Sequence, residues 1–251
     1  MDIPADYRLI ELEEIDSTNS ECLRLARQGD PGRLWVAARR QAAGRGSRGR
    51  AWESAPGNLF CSLLLLDAGP VRWLATLTFV AALAVREAIA EAAAARGLDH
   101  AIALKWPNDV LIAGRKAAGI LLEHHKVGAA DAVIVGIGLN CTSHPAGTLH
   151  PATDLAAEGL RADRVEMLER IAGQFPALLS AWRRGEGFDA IRRAWLVHAA
   201  GIGARADVAV GGRNLSGTVE GLDGQGYLEL RLPDGRTERL SAADVFLREQ
   251  G

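Results

Sequence analysis

The chain has 251 residues, 48% hydrophobic and 24% charged, with a formal net charge of −2. That length can hold one large domain, or one plus a small appendage, with a substantial core, and the near-neutral balance argues against a general DNA- or RNA-binding protein, for which a basic domain is expected. Three widely spaced cysteines, Cys22, Cys61 and Cys141, form no CxxC pair, which argues against a disulfide scaffold and points to reduced thiols in a cytoplasm.

Met1 to Asp6 has neither the basic region nor the apolar region of a secretion signal. Tyr7–Glu13 alternates apolar and polar residues, as a half-buried strand does. Asp16-Ser17-Thr18-Asn19-Ser20-Glu21 then opens a helix, with Thr18 and Glu21 spaced as a capping box and Gly29 closing it. A strand at Leu34–Ala38 leads into a loop rich in glycine and arginine, and another strand follows at Asn58–Leu66. An alanine-rich helix from Trp73 to Arg96 stops at Gly97 as a C′ residue. Arg86, Glu87 and Glu91 interrupt it, so it reads as a core helix and not as a membrane span.

Extended segments come next at Ala101–Lys105, Asp109–Ala113, Gly119–His125 and Ala132–Leu139, with a tight hairpin turn at Gly114-Arg115. Cys141–Thr153 is a loop, and helices are expected at Arg164–Arg183 and Phe188–Ala199. After Gly201, Arg205–Val210, Leu215–Glu220, Tyr227–Leu232 and Thr237–Leu240 alternate with turns at Gly211-Gly212, Asp223-Gly224 and Asp234-Gly235. These about fifty residues predict a small SH3-like barrel. The fold class is therefore α+β, a mixed or antiparallel sheet with flanking helices over residues 1–200 and a β domain over 201–251.

Three clusters carry chemistry. In the twelve residues Arg39–Arg50, five arginines and three glycines precede Trp52. Glycine admits close backbone approach, arginine supplies fork-shaped cationic donors, and the indole offers a flat face for a base. A nucleotide fits this set; an unliganded basic loop or an RGG-type nucleic-acid contact fits it too. In Lys105-Trp106-Pro107-Asn108-Asp109 the proline breaks the strand, and a lysine, an amide and a carboxylate converge there; a plain Asn/Asp turn is the alternative. Lys116-Ala117-Ala118-Gly119-Ile120-Leu121 and Gly136-Ile137-Gly138-Leu139-Asn140 follow, the paired glycines marking close approach of a ligand or another backbone. Lys116 also fits an edge-strand lysine that discourages aggregation. Gly44-x-Gly46 is a poor Rossmann fingerprint.

These elements, in this order and at these intervals, resemble the biotin protein ligase family over residues 7 to 248. The matching elements are Asp16 to Asn19, Gln41 to Gly46 through Arg48 to Trp52, Lys105 to Asp109, Lys116 to Leu121 and Gly136 to Asn140. The resemblance implies ATP-dependent formation of biotinyl-5′-adenylate, with Mg²⁺ arriving on the nucleotide, then transfer to a lysine of a biotin carboxyl carrier protein domain. It implies a biotin site of Ser17, Thr18, Asn19, Gln41, Gly44, Arg45, Lys116, Gly119, Leu121, Gly136 and Gly138. It implies an ATP and adenylate site of Arg45, Arg48, Arg50, Trp52, Asn108 and Asn140, and catalytic roles for Lys116, Arg45, Lys105 and Asp109. No protein-bound metal, nucleic acid or membrane partner is expected, and the chain is expected to act in the cytoplasm as a monomer or weak homodimer. Two departures stand out. The catalytic opening lies almost at Met1, where larger members carry a winged helix-turn-helix, so a ligase without repressor activity is expected. Ser47 also stands where the family's loop usually has another basic residue. The rival enzyme is a lipoate or octanoate ligase on the same fold.

Overall fold

In a computed structural model describing residues 2–148, 151–210, 213–241 and 245–248, β1 (Arg8–Ile15) leads into α1 (Thr18–Arg27), which returns the chain to β2 (Leu34–Gln41), parallel to β1. β3 (Leu59–Leu66) pairs antiparallel with β2, and α2 (Val71–Leu74) and α3 (Leu77–Ala94) cross the sheet. β4 (Ile102–Lys105), β5 (Asp109–Ile112), β6 (Arg115–Val127) and β7 (Ala130–Leu139) form an antiparallel run. Among the described residues this gives a mixed seven-stranded sheet, ordered β1-β2-β3-β7-β6-β5-β4. α4 (Arg164–Trp182) and α5 (Phe188–Val197) lead to β8 (Arg205–Val210), β9 (Arg213–Leu222), β10 (Leu228–Arg231), β11 (Thr237–Leu240) and β12 (Val245–Arg248). These five form an antiparallel sheet ordered β11-β10-β9-β8-β12.

The period-2 alternation of a strand assigns each side chain to one of two cores. On β2, Trp35 and Ala37 join the α3/α4 side, where Trp35 meets Phe175 edge-on at 5.2 Å, while Leu34 and Val36 join Cys22 and Ala26 of α1. On β3, Leu59, Cys61, Leu63 and Leu65 face the α3 side, and Leu64 faces α1. On β7, Val133, Val135, Ile137 and Leu139 face the α3 side, and Ala132 and Ile134 face α1. Further along that α1 face the apolar residues give way to Ser62 on β3 and to Gly136 and Gly138 on β7, a small-residue floor on which the side chains of Asn19 and Trp52 lie.

Several sequence expectations shift. Ser17 and not Thr18 is the N-cap of α1, no side chain caps the helix, and Glu21 pairs with Arg24, so the capping box does not form. The Trp73–Arg96 helix divides at Ala75–Thr76, where Thr76 Oγ1 donates to the Trp73 carbonyl and accepts from buried Trp182 Nε1. Gly97, at φ +68°, does sit at C′: its N–H reaches Ala94 O and that of Leu98 reaches Ala93 O, the paired bonds of a Schellman turn. The β5–β6 hairpin turns at Ala113-Gly114, both at positive φ, one residue before the expected pair. β12 has no counterpart in the sequence reading, and the Gly211-Gly212 turn lies outside the described residues. By length and composition Val71–Ala94 could cross a membrane, yet most of it is buried between the sheet and α4.

The two sheets share one core. Val208, Val219, Leu222, Leu228, Leu230 and Leu240 pack in continuity with α3 and α5. Gly226, at φ +85°, abuts Phe79 and Phe188, where a Cβ would come within 2.7 Å of Phe79. Trp106 Nε1 donates to Gly226 O at 3.2 Å, and Arg192 donates to Leu222 O at 2.8 Å.

Candidate active site

The site has a polar end built on the first turn of α1. Gln41 Oε1, at the end of β2, accepts from Thr18 N at 2.8 Å and Thr18 Oγ1 at 3.1 Å. Ser62 Oγ, fully buried on β3, lies 2.7 Å from Thr18 Oγ1 and 2.5 Å from Asn19 Oδ1. Asn19 Nδ2 donates to Glu123 Oε2 at 2.7 Å. Ser17 is buried, and its N–H donates to Asp16. The Arg24 guanidinium grips Asp16 through two hydrogen bonds and holds its carboxyl down to about 2.

Three adjacent strands make the floor. Gly136 lies opposite both Ser62 and Leu121, and Gly138 lies opposite Gly119. A Cβ at Gly136 would meet Asn19 Oδ1 at 2.3 Å, and one at Gly138 would meet Trp52 Cε2 at 2.4 Å. Glycine is required at both because polar side chains and an indole lie directly on the strands.

The roof is the glycine–arginine segment, folded as a hairpin. Trp52 N donates to Gly44 O at 2.9 Å and Gly46 N to Arg50 O at 2.7 Å, around a tight turn at Ser47–Gly49 with Gly49 at φ +71°. Gly44 lies against the Trp52 carbonyl, where a Cβ would come within 2.8 Å. Arg50 Nη2 donates to Ser47 Oγ at 3.2 Å. The Arg48 side chain lies outside the described residues. The Trp52 indole rests on Gly119 and Gly138, with Nε1 buried and no partner among the described residues. Its face meets Lys116 Nζ, 5.4 Å from the ring centroid.

The cationic end comes from β4, β5 and β6. Lys116 Nζ pairs with Asp109 Oδ1 at 2.5 Å, and Lys105 sits in register with Asp109 across the three-residue turn. Asn108 Nδ2 donates to Ile120 O at 2.6 Å and its carbonyl accepts from Ile120 N, tying the turn to β6. Asn140 is buried, its amide donating to Thr153 O at 3.0 Å, so it anchors the segment after β7.

The structure thus gathers Thr18, Asn19, Gln41, Gly44, Trp52, Gly119, Leu121, Gly136 and Gly138 around one site, with Lys116 and Asp109 at its end. It turns the Arg45 guanidinium elsewhere: Arg45 Nη2 meets Glu123 at 3.1 Å, seven residues along β6 from Lys116, roughly 20 Å at strand rise. Three residues escaped the sequence reading: Ser62, Glu123 and Asn58. Asn58 Oδ1 accepts from the N–H groups of Cys141, Thr142 and Ser143 and holds the loop beyond Asn140. The serine had one signal, a hydroxyl at an apolar position of a buried strand. Burial pushes the Cys141 thiol up to about 12 and raises Cys22 and Cys61 as well, so none of the three supplies a thiolate nucleophile.

A glycine floor with hydroxyl and amide groups at one end, a lysine at the other and an arginine-bearing hairpin above it suits a flat, polar-headed ligand with an anionic tail. The Biotin/lipoate A/B protein ligase family model matches residues 12–140, and the Biotin protein ligase C terminal domain model matches residues 202–248. The chain belongs to the biotin/lipoate A/B protein ligase family. It is 42% identical to the biotin--[acetyl-CoA-carboxylase] ligase of Paracoccus denitrificans, over 94% of this chain and 98% of that one. It is 34% identical to the enzyme of the same name from Mycobacterium tuberculosis, over 91% of this chain and 85% of that one. The biotin protein ligase of Aquifex aeolicus, solved in complex with biotin and ATP, superposes with a TM-score of 0.81 at 28% identity, covering 97% of this chain and 99% of that one.

Proposed function

We propose that the protein activates biotin with ATP and transfers it to a lysine of a biotin carboxyl carrier protein domain. The observation that carries this is the glycine floor, bounded at one end by Thr18, Gln41 and Ser62 and at the other by Lys116 beside Asp109. A biotin carboxylate oxygen attacks the α-phosphorus of ATP, the bond to pyrophosphate breaks, and biotinyl-5′-adenylate forms. The carrier lysine then attacks the acyl carbon, AMP leaves, and an amide results.

The residues divide the work along the floor. Ser17, Thr18, Asn19 and Gln41 receive the ureido ring, and Gly44, Gly119, Leu121, Gly136 and Gly138 line its apolar path. Lys116, Arg48 and Arg50 screen the carboxylate from the triphosphate and stabilise charge developing at phosphorus. Trp52 and Asn140 are assigned to the adenylate, with Asn108 positioning the turn beside it. Lys105 and Asp109 are assigned to the incoming lysine, which is largely protonated at neutral pH and needs a carboxylate to orient it or take its proton. Arg45, turned to the ring end, is assigned to biotin before phosphate. Mg²⁺ is assigned to the triphosphate as part of the substrate. The three free, buried cysteines support a cytoplasmic setting.

The test is incubation with MgATP, labelled biotin and a carrier domain, with lipoate and octanoate as competitors. Biotin-dependent pyrophosphate release with label on the carrier lysine is expected; competition by lipoate or octanoate at biotin's concentration would move the assignment to an acyl ligase of the other kind.

A further inference from the structure

β6 presents Gly119 and Leu121 to the site and then, two residues further on the same face, a carboxylate. Glu123 is half-buried, its side chain 24% exposed, and a carboxylate drawn partly out of water is favoured by hydrogen-bond partners. Its partners come from the two segments that close the polar end. Asn19 Nδ2 of α1 donates to Oε2 at 2.7 Å, and Arg45 Nη2 of the hairpin reaches both oxygens at 3.1 Å.

An ionised carboxylate only accepts hydrogen bonds, and that fixes the direction of those beyond it. Asn19 must turn its NH₂ to Glu123 and therefore its carbonyl to Ser62. Ser62 then donates to Asn19 Oδ1 at 2.5 Å. Thr18 Oγ1, 2.7 Å from Ser62 and 3.1 Å from Gln41 Oε1, spends its proton on one of these two acceptors. The outcome is a Thr18 hydroxyl whose lone pairs remain for a ligand N–H, and a Gln41 whose Oε1 is taken by Thr18 N at 2.8 Å, leaving its NH₂ to donate.

We propose that Glu123 is a positioning residue for substrate capture: it sets the donor–acceptor polarity of the site's polar end through Asn19 and Ser62, and pins the hairpin over that end through Arg45. It touches no reacting atom, so its effect falls on binding and not on the chemical step. The inference rests on the biotin-ligase reading above.

The test is Glu123→Gln, which keeps the size but removes the charge and the acceptor-only character. A charge-assisted hydrogen bond contributes about one to two decades in binding. Because the Arg45 side chain is 45% exposed, water screens part of this, and about a tenfold rise in biotin Kd, read by calorimetry without ATP, is expected. The rate of adenylate formation at saturating biotin and the KM for ATP should stay within about twofold. Glu123→Asp, which keeps the charge, should recover part of the affinity. In an Asn19→Ala background, Glu123→Gln should weaken biotin less than it does alone. Unchanged biotin affinity in Glu123→Gln, or an equal fall in affinity and rate together with a lower melting temperature, overturns the inference. If Glu123→Gln does not fold, full additivity of Glu123→Asp with Asn19→Ala overturns it. Wild-type protein that binds no biotin in the same calorimeter sinks the functional reading instead.

Discussion

Gly138→Ala tests the site's floor with a single methyl group. Gly138 is a β7 residue at a backbone conformation open to any side chain, so alanine meets no backbone strain there. What opposes it is the indole above: the new Cβ would lie 2.4 Å from Trp52 Cε2, 2.6 Å from Cζ2 and 2.7 Å from Nε1. Carbon atoms in contact settle at about 3.5–4.0 Å, so Trp52 must withdraw by more than about 1 Å. The methyl group then stands on the floor that biotin needs. Overpacking of a fitted site costs about 1–3 kcal/mol, or about 5- to 150-fold in Kd. Calorimetric titration with biotin, run beside thermal unfolding, should show that loss of affinity, with a lower melting temperature from the displaced indole. Biotin binding within about twofold of wild type would refute the assignment of Gly138 to the site.

Lys116→Ala removes the cation beside Asp109 and should slow adenylate formation by about two to three decades, while transfer from supplied biotinyl-adenylate persists; a normal pyrophosphate-release rate would remove its role. Ser47→Arg adds a charge-assisted donor to the hairpin turn and should slow release of the adenylate by about tenfold or more; an unchanged off-rate would show that position 47 does not meet the intermediate. Asp16 is held at about 2 by Arg24, below its ordinary 3.8, so its contribution to stability is complete above about pH 4 and is lost as pH falls toward 2. Asp16→Asn should flatten that part of a urea-midpoint profile against pH, and an unaltered profile would discount the pair. Gly173, exposed in α4 with nothing within 4 Å of an added Cβ, should accept alanine with a gain of about 0.5–1 kcal/mol in denaturant unfolding.

What could be read from the sequence was whatever local periodicity and motif spacing determine. Arg205–Val210 and Thr237–Leu240 have the predicted limits, and β2 and β7 contain the expected Leu34–Ala38 and Ala132–Leu139 and run beyond them. The helix break at Thr76 was hidden because Trp182, far along the chain, supplies the hydrogen bond that accompanies it. The Thr18–Glu21 capping box failed because Arg24 engages Glu21 and Asp16 at once, a competition that spacing alone does not reveal. Among site residues, glycines and lysines in motifs were visible by chemistry. Ser62 and Glu123 were not, since a serine in an apolar strand and a glutamate within a strand acquire meaning only when β3, β6 and α1 converge. Trp52, expected to meet a base, lies on the glycine floor beside a hairpin closed by its own backbone bonds.

The seat of Gly226 against Phe79 and Phe188 bears on how the protein can be cut. Phe79, Phe188 and Trp195 stack edge to face at 5.4 and 5.5 Å, and the β9–β10 turn carrying Gly226 covers that cluster. A chain truncated near Gly201 would leave these rings facing water as a sticky patch, and would strip Trp106, between Lys105 and Asn108, of its acceptor at Gly226. The five-stranded sheet therefore behaves as a stopper in the larger body. The intact protein should melt in one cooperative transition, and the shortened one should aggregate before it can be assayed.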